Sequence, residues 1–270
     1  MFKVPLPKVP LPKKRVARLL TVSGARHITP NMIRVTFEGP ELADIPQDCA
    51  GAHCKILLPE AGQSRDDFQR QLADGPKPIT RTYTVRHMRP DPLQMDVDFV
   101  AHGDEGPASA WAHRAEAGSF CGFMGPGGKK LNTYYADWYL VAADMSALPV
   151  AAATIEAMPD DAKGIAIFEV TSEADKQDFP TPAGIETHWL IHEDAHHRSH
   201  AQEEFIRSLD WPEGTVQTCI AGESGVIQAL RAFLMNEKQL NKRDAYISGY
   251  WKIGLVEDQH QQAKRVGQAG

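Results

Sequence analysis

The sequence predicts a protein of the β plus α/β class, with an N-terminal antiparallel six-stranded β-barrel followed by a parallel α/β sheet domain. Three observations support this prediction. The chain has 270 residues, which is enough for two domains with cores of their own. Its first half holds short segments of period-two apolar patterning between Gly, Pro and Asp turns. Its second half alternates short apolar runs with stretches of helical period, the pattern of βαβ units.

Six strands are predicted in the first half. Residues 94–99, Gln-Met-Asp-Val-Asp-Phe, alternate polar and apolar side chains as a half-buried strand does. Short antiparallel strands of this number favour a closed barrel, which leaves no strand edge exposed. The predicted strands are residues 15–22, 32–38, 53–59, 80–87, 93–101 and 119–124.

After Tyr135 the pattern changes to alternating strands and helices, which predicts a parallel sheet with crossover helices. The predicted strands are residues 138–143, 165–171, 187–191, 215–221 and 245–250, and the predicted helices are residues 149–158, 201–209 and 225–238.

Four parts are predicted along the chain. Residues 1–14 repeat Lys-Val-Pro-Leu-Pro and are interpreted as a flexible Pro-rich arm or, alternatively, a docking peptide. Residues 15–134 form the barrel domain and residues 135–255 the α/β domain. Residues 256–270 form a polar C-terminal tail.

Composition excludes several classes of protein. The net charge of −6 argues against general nucleic-acid binding. No run approaches the ~18 apolar residues of a membrane span, and the basic start lacks the apolar core of a secretory signal. Cys49, Cys54, Cys121 and Cys219 form no CxxC pair and are expected to be reduced thiols. We therefore expect a cytoplasmic protein, and a monomer.

Two elements of the barrel half suggest a ligand with both charge and a flat ring. Arg81 and Tyr83 share one face of a predicted strand, whereas Thr84 points to the opposite face. Gly106 and Pro107 precede a predicted helix whose first N–H groups form an anion site. The alternatives are a surface arginine beside a barrel tyrosine, and a helix that only connects two strands.

Seven segments stand in the order and spacing typical of one family. They are Arg81-Thr82-Tyr83-Thr84-Val85-Arg86, Asp98-Phe99-Val100 with His102-Gly103, Gly106-Pro107-Ala108-Ser109 with Trp111, Gly125-Pro126-Gly127-Gly128, residues 144–149, Ala221-Gly222-Glu223, and Ser248-Gly249-Tyr250-Trp251. The chain resembles the siderophore-interacting protein family, flavin-dependent ferric-siderophore reductases of the ferredoxin–NADP reductase-like superfamily. The resemblance spans about residues 15–254.

The resemblance implies that the barrel binds FAD. It places Arg81 on the pyrophosphate, Tyr83 against the isoalloxazine and Thr84 near its N5 edge, with Tyr83 and Thr84 as the catalytic pair. The remaining residues that it implies for FAD are Asp98, Val100, His102, Gly106, Ala108 and Ser109.

The resemblance also implies an electron-donor site beyond the strands of the second half, where ligands bind in open parallel sheets. No GxGxxG motif is present, and Ala143, Met145 and Ser146 depart from the family's Gly-Asp-Glu-Thr-Ala-Leu-Pro pattern. NADPH, NADH and ferredoxin therefore all stay open as donors, and simple strand–helix turns are the alternative. The candidate residues are Asp144, Ser146, Gly222, Glu223, Tyr250 and Trp251.

The implied reaction delivers single electrons to the Fe(III) of a siderophore and releases Fe(II) for cytosolic iron acquisition. Ferric chelates are often anionic, so a cationic pocket near the flavin is expected to attract them. The candidates, which are otherwise ordinary solvated cations, are Lys55, Lys129, Lys130, Lys252, Lys264 and Arg265.

Residues 192–196, His-Glu-Asp-Ala-His, match the H-E-x-x-H pattern of zinc hydrolases. The motif follows a predicted strand among polar residues, so we expect solvated histidines and no metal site. Two further alternatives for the whole chain are a general NAD(P)H–flavin oxidoreductase with another acceptor, and a non-catalytic protein that binds ferric siderophore or flavin.

Overall fold

A closed barrel of six antiparallel strands forms the first half of the computed structural model, which describes residues 17–103, 106–129, 131–255 and 259. The predicted arm, the predicted tail and the cations Lys130, Lys264 and Arg265 lie outside these residues. The strands are β1 (Arg18–Thr29), β2 (Met32–Glu38), β3 (His53–Leu58), β4 (Ile79–Pro90), β5 (Leu93–Val100) and β6 (Phe120–Met124). They are hydrogen-bonded in the order β1-β2-β5-β4-β3-β6, which confirms the predicted barrel.

Alternation along β2 and β5 separates the inside of the barrel from its outside. Val35 and Val97 lie opposite each other and are fully buried in the barrel core. Arg34 lies opposite Asp98 on the outer face, and its Nε and Nη2 each donate to one carboxylate oxygen at 2.7 Å. The regular pattern of residues 94–99 therefore reflects apolar side chains turned inward, those of Met95, Val97 and Phe99, and aspartates that form ion pairs on the other face.

Helix α1 (Arg65–Asp74) has no counterpart among the sequence-based predictions. The hydroxyl of Ser64 accepts from the backbone N–H of Asp67 at 3.2 Å and caps its start. Phe68 is fully buried against the outside of the barrel, in one cluster with Leu57 and, at 5.8 Å between ring centroids, Phe120. The helix is otherwise mostly polar, so its apolar period is too weak to detect in the sequence.

The second half forms the predicted parallel sheet. Its strands are β7 (Trp138–Asp144), β8 (Lys163–Val170), β9 (Gly184–Ile191), β10 (Val216–Glu223) and β11 (Ala245–Trp251), in the order β11-β10-β7-β8-β9. Further α-helices among the described residues are α2 (Pro107–Arg114) in the barrel half, then α3 (Leu148–Glu156), α4 (Ala201–Ser208) and α5 (Ser224–Ala232). Helix α3 packs on one face of the sheet, and α4 and α5 pack on the other.

The strand order reverses between β7 and β10. The chain adds β8 and β9 on one side of β7, then returns to add β10 and β11 on the other side. Ligands of open parallel sheets bind beyond the carboxyl ends of the strands at such a reversal. The position of the predicted donor residues is therefore set by the topology.

The connection between β8 and β9 contains a single 3-10 turn, Glu173–Asp175, in place of a crossover helix. Phe179 covers the sheet there, with its ring centroid 5.7 Å from that of Phe168. A second departure follows α5, which continues into a π-helical turn, Phe233–Glu237.

Asp175 of this connection joins the two domains. It is fully buried, and its two carboxylate oxygens accept from the backbone N–H of Asn31 at 2.9 Å and from the Asn31 amide at 2.8 Å. Asn31 lies in the turn between β1 and β2. Together with the hydroxyls of Thr171 and Ser172, these bonds hold the pKa of Asp175 below its usual value despite its burial.

A second polar contact joins β4 to α3. The guanidinium of Arg86, which is 3% exposed, donates to both carboxylate oxygens of Glu156 at 2.6 and 2.7 Å. Such a bidentate pair fixes orientation as well as distance. An apolar contact in which Met32 packs with Met145 lies between the same two domains.

All four cysteines are buried and free, in agreement with the expected reduced thiols. Within the described residues, no helix combines the length and the apolar composition that crossing a bilayer requires.

We predict that Asp175→Asn lowers the free energy of unfolding at neutral pH by about 1–3 kcal/mol, because an amide group then faces the N–H donors of Asn31. Thermal or urea unfolding measures the change. Asp178→Asn, in the same connection but exposed, is the matched control and is expected to change stability by less than about 0.5 kcal/mol.

The same pair of proteins gives a pH test. Because the folded-state pKa of Asp175 is lowered, the stability it contributes is complete above the ordinary carboxyl pKa of about 3.9 and is lost as pH falls toward the folded value. The difference in stability between wild type and Asp175→Asn should therefore shrink as the pH falls below about 4. A difference independent of pH would contradict this assignment.

Candidate functional site

Strand β4 carries Arg81 and Tyr83 on one face. In the register of β3 and β4, Arg81 lies opposite Ile56 and Tyr83 opposite Cys54, and both partners are buried in the barrel core. Side chains directly opposite on antiparallel strands share a face of the sheet. The guanidinium and the phenol ring thus lie on the same side of β4, and both are half-exposed.

An aromatic cluster places the ring of Tyr83 beside helix α2. Its centroid lies 4.3 Å from that of Phe99, which in turn lies 5.7 Å from the ring of Trp111 in α2. The strand and the helix are therefore connected through a packed core. The half-exposed part of Tyr83 offers a flat apolar surface to a ligand.

Helix α2 begins with its N-cap position occupied by Gly106 and with Pro107 in the first turn. Within the part of the chain that the structure describes, which omits residues 104 and 105, no side-chain hydrogen bond caps this end of the helix. Such an N-terminus attracts an anionic group.

The turn before α2 is built around His102. The backbone N–H of His102 donates to the hydroxyl of Ser109 at 3.1 Å, and Ser109 is 1% exposed. The His102 ring lies against Gly106, where an added Cβ would be 2.2 Å from ring atom Cε1. The hydroxyl of Ser109 therefore stabilises the turn. A side chain at position 106 would collide with the imidazole of His102 where that ring now lies.

The Gly-Pro-Gly-Gly turn after β6 packs on His53. A Cβ at Gly127 would lie 2.1 Å from the imidazole of His53, and the Gly127 N–H donates to the His53 carbonyl at 2.8 Å. His53 lies opposite Thr84 in the register of β3 and β4. The turn thus brings Lys129 to the outer face of β4.

Two residues expected at the FAD site make contacts within the protein. Asp98 is buried in its ion pair with Arg34, and its second oxygen lies 4.0 Å from Nε of Arg86. Val100 packs between the two domains, in a cluster that includes Met145. The role of both residues at the FAD site stays a prediction.

Asp144 joins three strands at the carboxyl edge of the sheet. One carboxylate oxygen accepts from the backbone N–H of Glu223 at 2.8 Å and from the indole of Trp251 at 2.7 Å. The other accepts from the N–H and hydroxyl of Ser146 at 2.9 and 2.6 Å. Burial raises the pKa of Asp144 in spite of these bonds. Gly222 permits the approach, since a Cβ there would lie 2.6 Å from the carboxylate.

Glu223 is the N-cap residue of helix α5, and its carboxylate also accepts hydrogen bonds from backbone N–H groups. Its carboxylate accepts from the N–H groups of Gly225 and Val226, the latter at 3.0 Å. The predicted donor residues are therefore brought together, but Glu223 already accepts from the first N–H groups of α5, to which a phosphate would bind, and Asp144 accepts from N–H groups of the turn before α3.

Tyr250, the remaining candidate on this edge, turns toward the barrel. Its hydroxyl lies 2.8 Å from the hydroxyl of Tyr246 and near Thr84, which is 4% exposed. A small cavity of about 20 Å³ between the domains is lined by both tyrosines, His53 and Tyr134. No role for Tyr246 was expected from the sequence, although Tyr246 and Tyr250 recur with the period of a strand.

The cations expected at the substrate site lie in different places. Lys55 donates to the hydroxyl of Thr82 on the outer face of β4. Lys129 is half-buried and lines the interdomain cavity. Lys252 is exposed after β11. The structure therefore brings Lys55 and Lys129 to the side of the barrel that faces the second domain.

The H-E-x-x-H segment lies in a turn before α4 and not on a helix. The ring of His192 contacts the carbonyl of His197 at 2.9 Å, and the imidazole of His197 pairs with Asp194 at 2.7 Å. The two histidines of the motif therefore lack the helical spacing that presents them to one zinc ion. Among the described residues, no group of three or more His, Cys, Asp or Glu side chains is placed to hold a metal.

Two family models match the chain. The model of the siderophore-interacting FAD-binding domain matches residues 21–130, and that of the siderophore-interacting protein matches residues 136–254. Among curated relatives, the ferric vibriobactin reductase ViuB of Vibrio cholerae is 33% identical over 258 residues, with 92% of this chain and 94% of the relative covered. A ferric acinetobactin reductase of Acinetobacter baumannii is 30% identical over 208 residues, with 74% and 71% covered.

Comparison with solved structures indicates the same family and shows the fold. The siderophore-interacting protein SipS from Aeromonas hydrophila superposes with a TM-score of 0.80 at 32% identity and covers 95% of this chain and 99% of its own. A ferredoxin–NADP+ reductase from Plasmodium falciparum, at 12% identity and a TM-score of 0.61, shares the fold over 86% of this chain and 96% of its own. The chain belongs to the siderophore-interacting protein family and is a flavin-dependent reductase with a ferredoxin–NADP reductase-like fold.

Proposed function

We propose that this chain is an FAD-dependent reductase that delivers electrons to the iron of a ferric siderophore and releases it as Fe(II) in the cytoplasm. The observation that carries the proposal is the pairing of Arg81 and Tyr83 on one face of β4, in the same barrel as helix α2 and inside a domain of the FAD-binding family. Relatives named as ferric vibriobactin and ferric acinetobactin reductases support the substrate class. We further propose that the protein acts as a monomer.

The residues of the barrel fit FAD. Arg81 supplies a cation and the N–H groups at the start of α2 supply a helix dipole, both suited to a pyrophosphate. Gly106, which lacks a side chain, lets the His102 ring lie against the start of that helix, where it can contribute to the pocket. Tyr83 offers its half-exposed ring to the isoalloxazine. When bound, FAD supplies the chemistry of accepting electrons in pairs and passing them on singly.

The substrate is recognised through charge. Ferric siderophores hold iron with oxygen ligands and are often anionic, and a local cationic site attracts them even on a protein of negative net charge. Lys55 and Lys129 are on the face of the barrel turned toward the second domain. Lys252 follows the strand of that domain which carries Tyr250.

The donor is NADPH, NADH or a ferredoxin, and one observation favours the ferredoxin. The carboxylate of Asp144 accepts a hydrogen bond from the N–H of Ser146, just before α3. The carboxylate of Glu223 accepts hydrogen bonds from the N–H groups of Gly225 and Val226 at the start of α5. These carboxylates oppose an anionic nucleotide at both positions. A protein donor does not need these N–H groups.

The test of this function is the absorption spectrum of the FAD-reconstituted protein under anaerobic conditions. We expect reduced ferredoxin to bleach the flavin faster than NADPH or NADH, and a ferric siderophore to restore it faster than ferric citrate or a quinone. Preference for a quinone would identify the general oxidoreductase instead. Tight binding of ferric siderophore without electron transfer would identify the binding protein.

We predict that Arg81→Ala weakens FAD affinity by about 10- to 100-fold, the loss expected for a charge-assisted hydrogen bond to a phosphate. Titration of the apoprotein with FAD, followed by fluorescence, measures the change. Arg70→Ala is the control, because Arg70 is an exposed arginine of α1 whose ion-pair partner is also exposed. Equal affinity in both variants would remove Arg81 from the FAD site.

We predict that the double variant Lys55→Gln and Lys129→Gln raises KM for an anionic ferric chelate by about tenfold, with a smaller effect on kcat, because the lysines attract the substrate before electron transfer. The effect should diminish as ionic strength rises. Lys238→Gln is the control, since Lys238 lies over the ring of Trp211 at 5.5 Å, away from the barrel. An unchanged KM in the double variant would place the substrate elsewhere.

A further inference from the structure

An open groove of about 780 Å³ lies beside the edge strand β9 of the second domain. It is lined by the segment from Gln177 to Ala183, in the connection between β8 and β9, and by Ile185, Thr187 and Trp189 of β9. These three residues of β9 alternate along the strand and share one face of the sheet. The groove thus lies at the connection that has no crossover helix.

Aromatic rings and prolines make up much of the lining. The rings of Phe179 and Trp189 lie 5.7 and 4.8 Å from that of Phe168, centroid to centroid, and both are half-exposed. Pro180 and Pro182 line the same groove. Grooves lined by aromatic rings bind proline-rich segments in the polyproline II conformation, because the rings pack on the prolines of such a segment.

The polar groups of the lining narrow the class of ligand. Among the described residues, Nε2 of Gln177 is buried and has no hydrogen-bond partner. A polyproline II segment makes no internal hydrogen bonds, so one of its backbone carbonyls can supply the acceptor that this nitrogen lacks. The charged residue of the lining is Asp178, an exposed acid. The groove therefore suits a basic, proline-rich segment.

The N-terminal segment of this chain has that composition. Residues 3–7 and 8–12 repeat Lys-Val-Pro-Leu-Pro, and residues 1–16 carry five cations and no acidic side chain. Proline density of this kind favours polyproline II. It also prevents the segment from extending the sheet at β9, because proline has no N–H for the ladder.

We propose that the first repeat, residues 3–7, binds in this groove of its own molecule and so connects the start of the barrel to the edge of the second domain. Its prolines would pack on the rings of Phe179 and Trp189, and its lysines would lie near the carboxylate of Asp178. This contact would cover the apolar lining of the groove.

The length of the chain fits this proposal. The groove lies near the far end of β1, since Ile28 and Trp189 pack against the same apolar cluster. Strand β1 spans at most about 33 Å from Arg18 to Ile28 at the usual rise of a strand. At the rise of polyproline II, residues 3 and 7 reach about 46 and 34 Å from Arg18, whereas residue 12 reaches only about 19 Å. The first repeat therefore reaches the groove, and most of the second does not.

A spin label on the full chain tests the proposal. All four cysteines are buried, so a cysteine introduced as Phe2→Cys is the one that a nitroxide reagent modifies. Trp189→Phe identifies the indole NMR signal of Trp189 among those of the five tryptophans. We expect the label to broaden this signal until it is lost. The signal of Trp211, which packs on the α4 and α5 side of the sheet, should keep its intensity.

Two matched pairs of substitutions locate the contact along the N-terminal segment. Pro5→Ala with Pro7→Ala alters the bound repeat and should restore the Trp189 signal. Pro10→Ala with Pro12→Ala makes the same change in the second repeat and should leave the signal lost. Equal behaviour of the two pairs would overturn the proposal, as would a Trp189 signal of full intensity in the labelled protein.

Tryptophan fluorescence keeps the test decisive if Trp189→Phe does not fold. Because the ring of Trp189 loses its cover, the emission maximum should shift to longer wavelength in the first pair of substitutions and not in the second. An unchanged maximum in the first pair would contradict the proposal.

A mixing experiment distinguishes the molecule's own segment from that of a second copy. Spin-labelled protein without isotope is mixed with isotope-labelled protein without the spin label, and the Trp189 signal should then keep its intensity. Loss of the signal in the mixture would assign the groove to the segment of a second copy and overturn the proposal.

Discussion

Strand β4 is used on both of its faces, and the rest of the structure depends on this arrangement. The face that carries Arg81 and Tyr83 packs on the barrel core and leaves a cation and a ring half-exposed. The face that carries Thr84 meets the second domain. The period of a strand makes this possible, because neighbouring side chains point in opposite directions. A single strand thus joins the barrel to the parallel-sheet domain.

Two separate polar contacts connect the domains. Arg86 reaches Glu156 of α3, and Asp175 reaches Asn31 at the turn between β1 and β2. Both contacts pair a buried charged group with satisfied partners, and separating them would expose a charge without its partner. These contacts therefore stabilise the arrangement in which the two domains are packed together.

Two acidic residues of the second domain accept hydrogen bonds from the backbone of their own chain. Asp144 and Glu223 accept hydrogen bonds from backbone N–H groups at the carboxyl edge of the sheet. In many open parallel sheets such N–H groups bind the phosphates of a ligand. Here the same positions stabilise the junction of three strands. The edge thereby orients Trp251 and, next to it, Tyr250, which faces the barrel.

The sequence by itself determined the two-domain architecture, all eleven strands and the shared face of Arg81 and Tyr83, because strand period and apolar alternation are local properties of the chain. Helix α1 escaped detection since its residues are mostly polar around Phe68. Only the tertiary structure decided the partner of Asp98 on the barrel surface and the meeting of Tyr250 with Thr84. Arg34 is distant from Asp98 in sequence, and Thr84 is distant from Tyr250. Whether the members of each pair meet depends on how strands and domains pack, which no local pattern encodes.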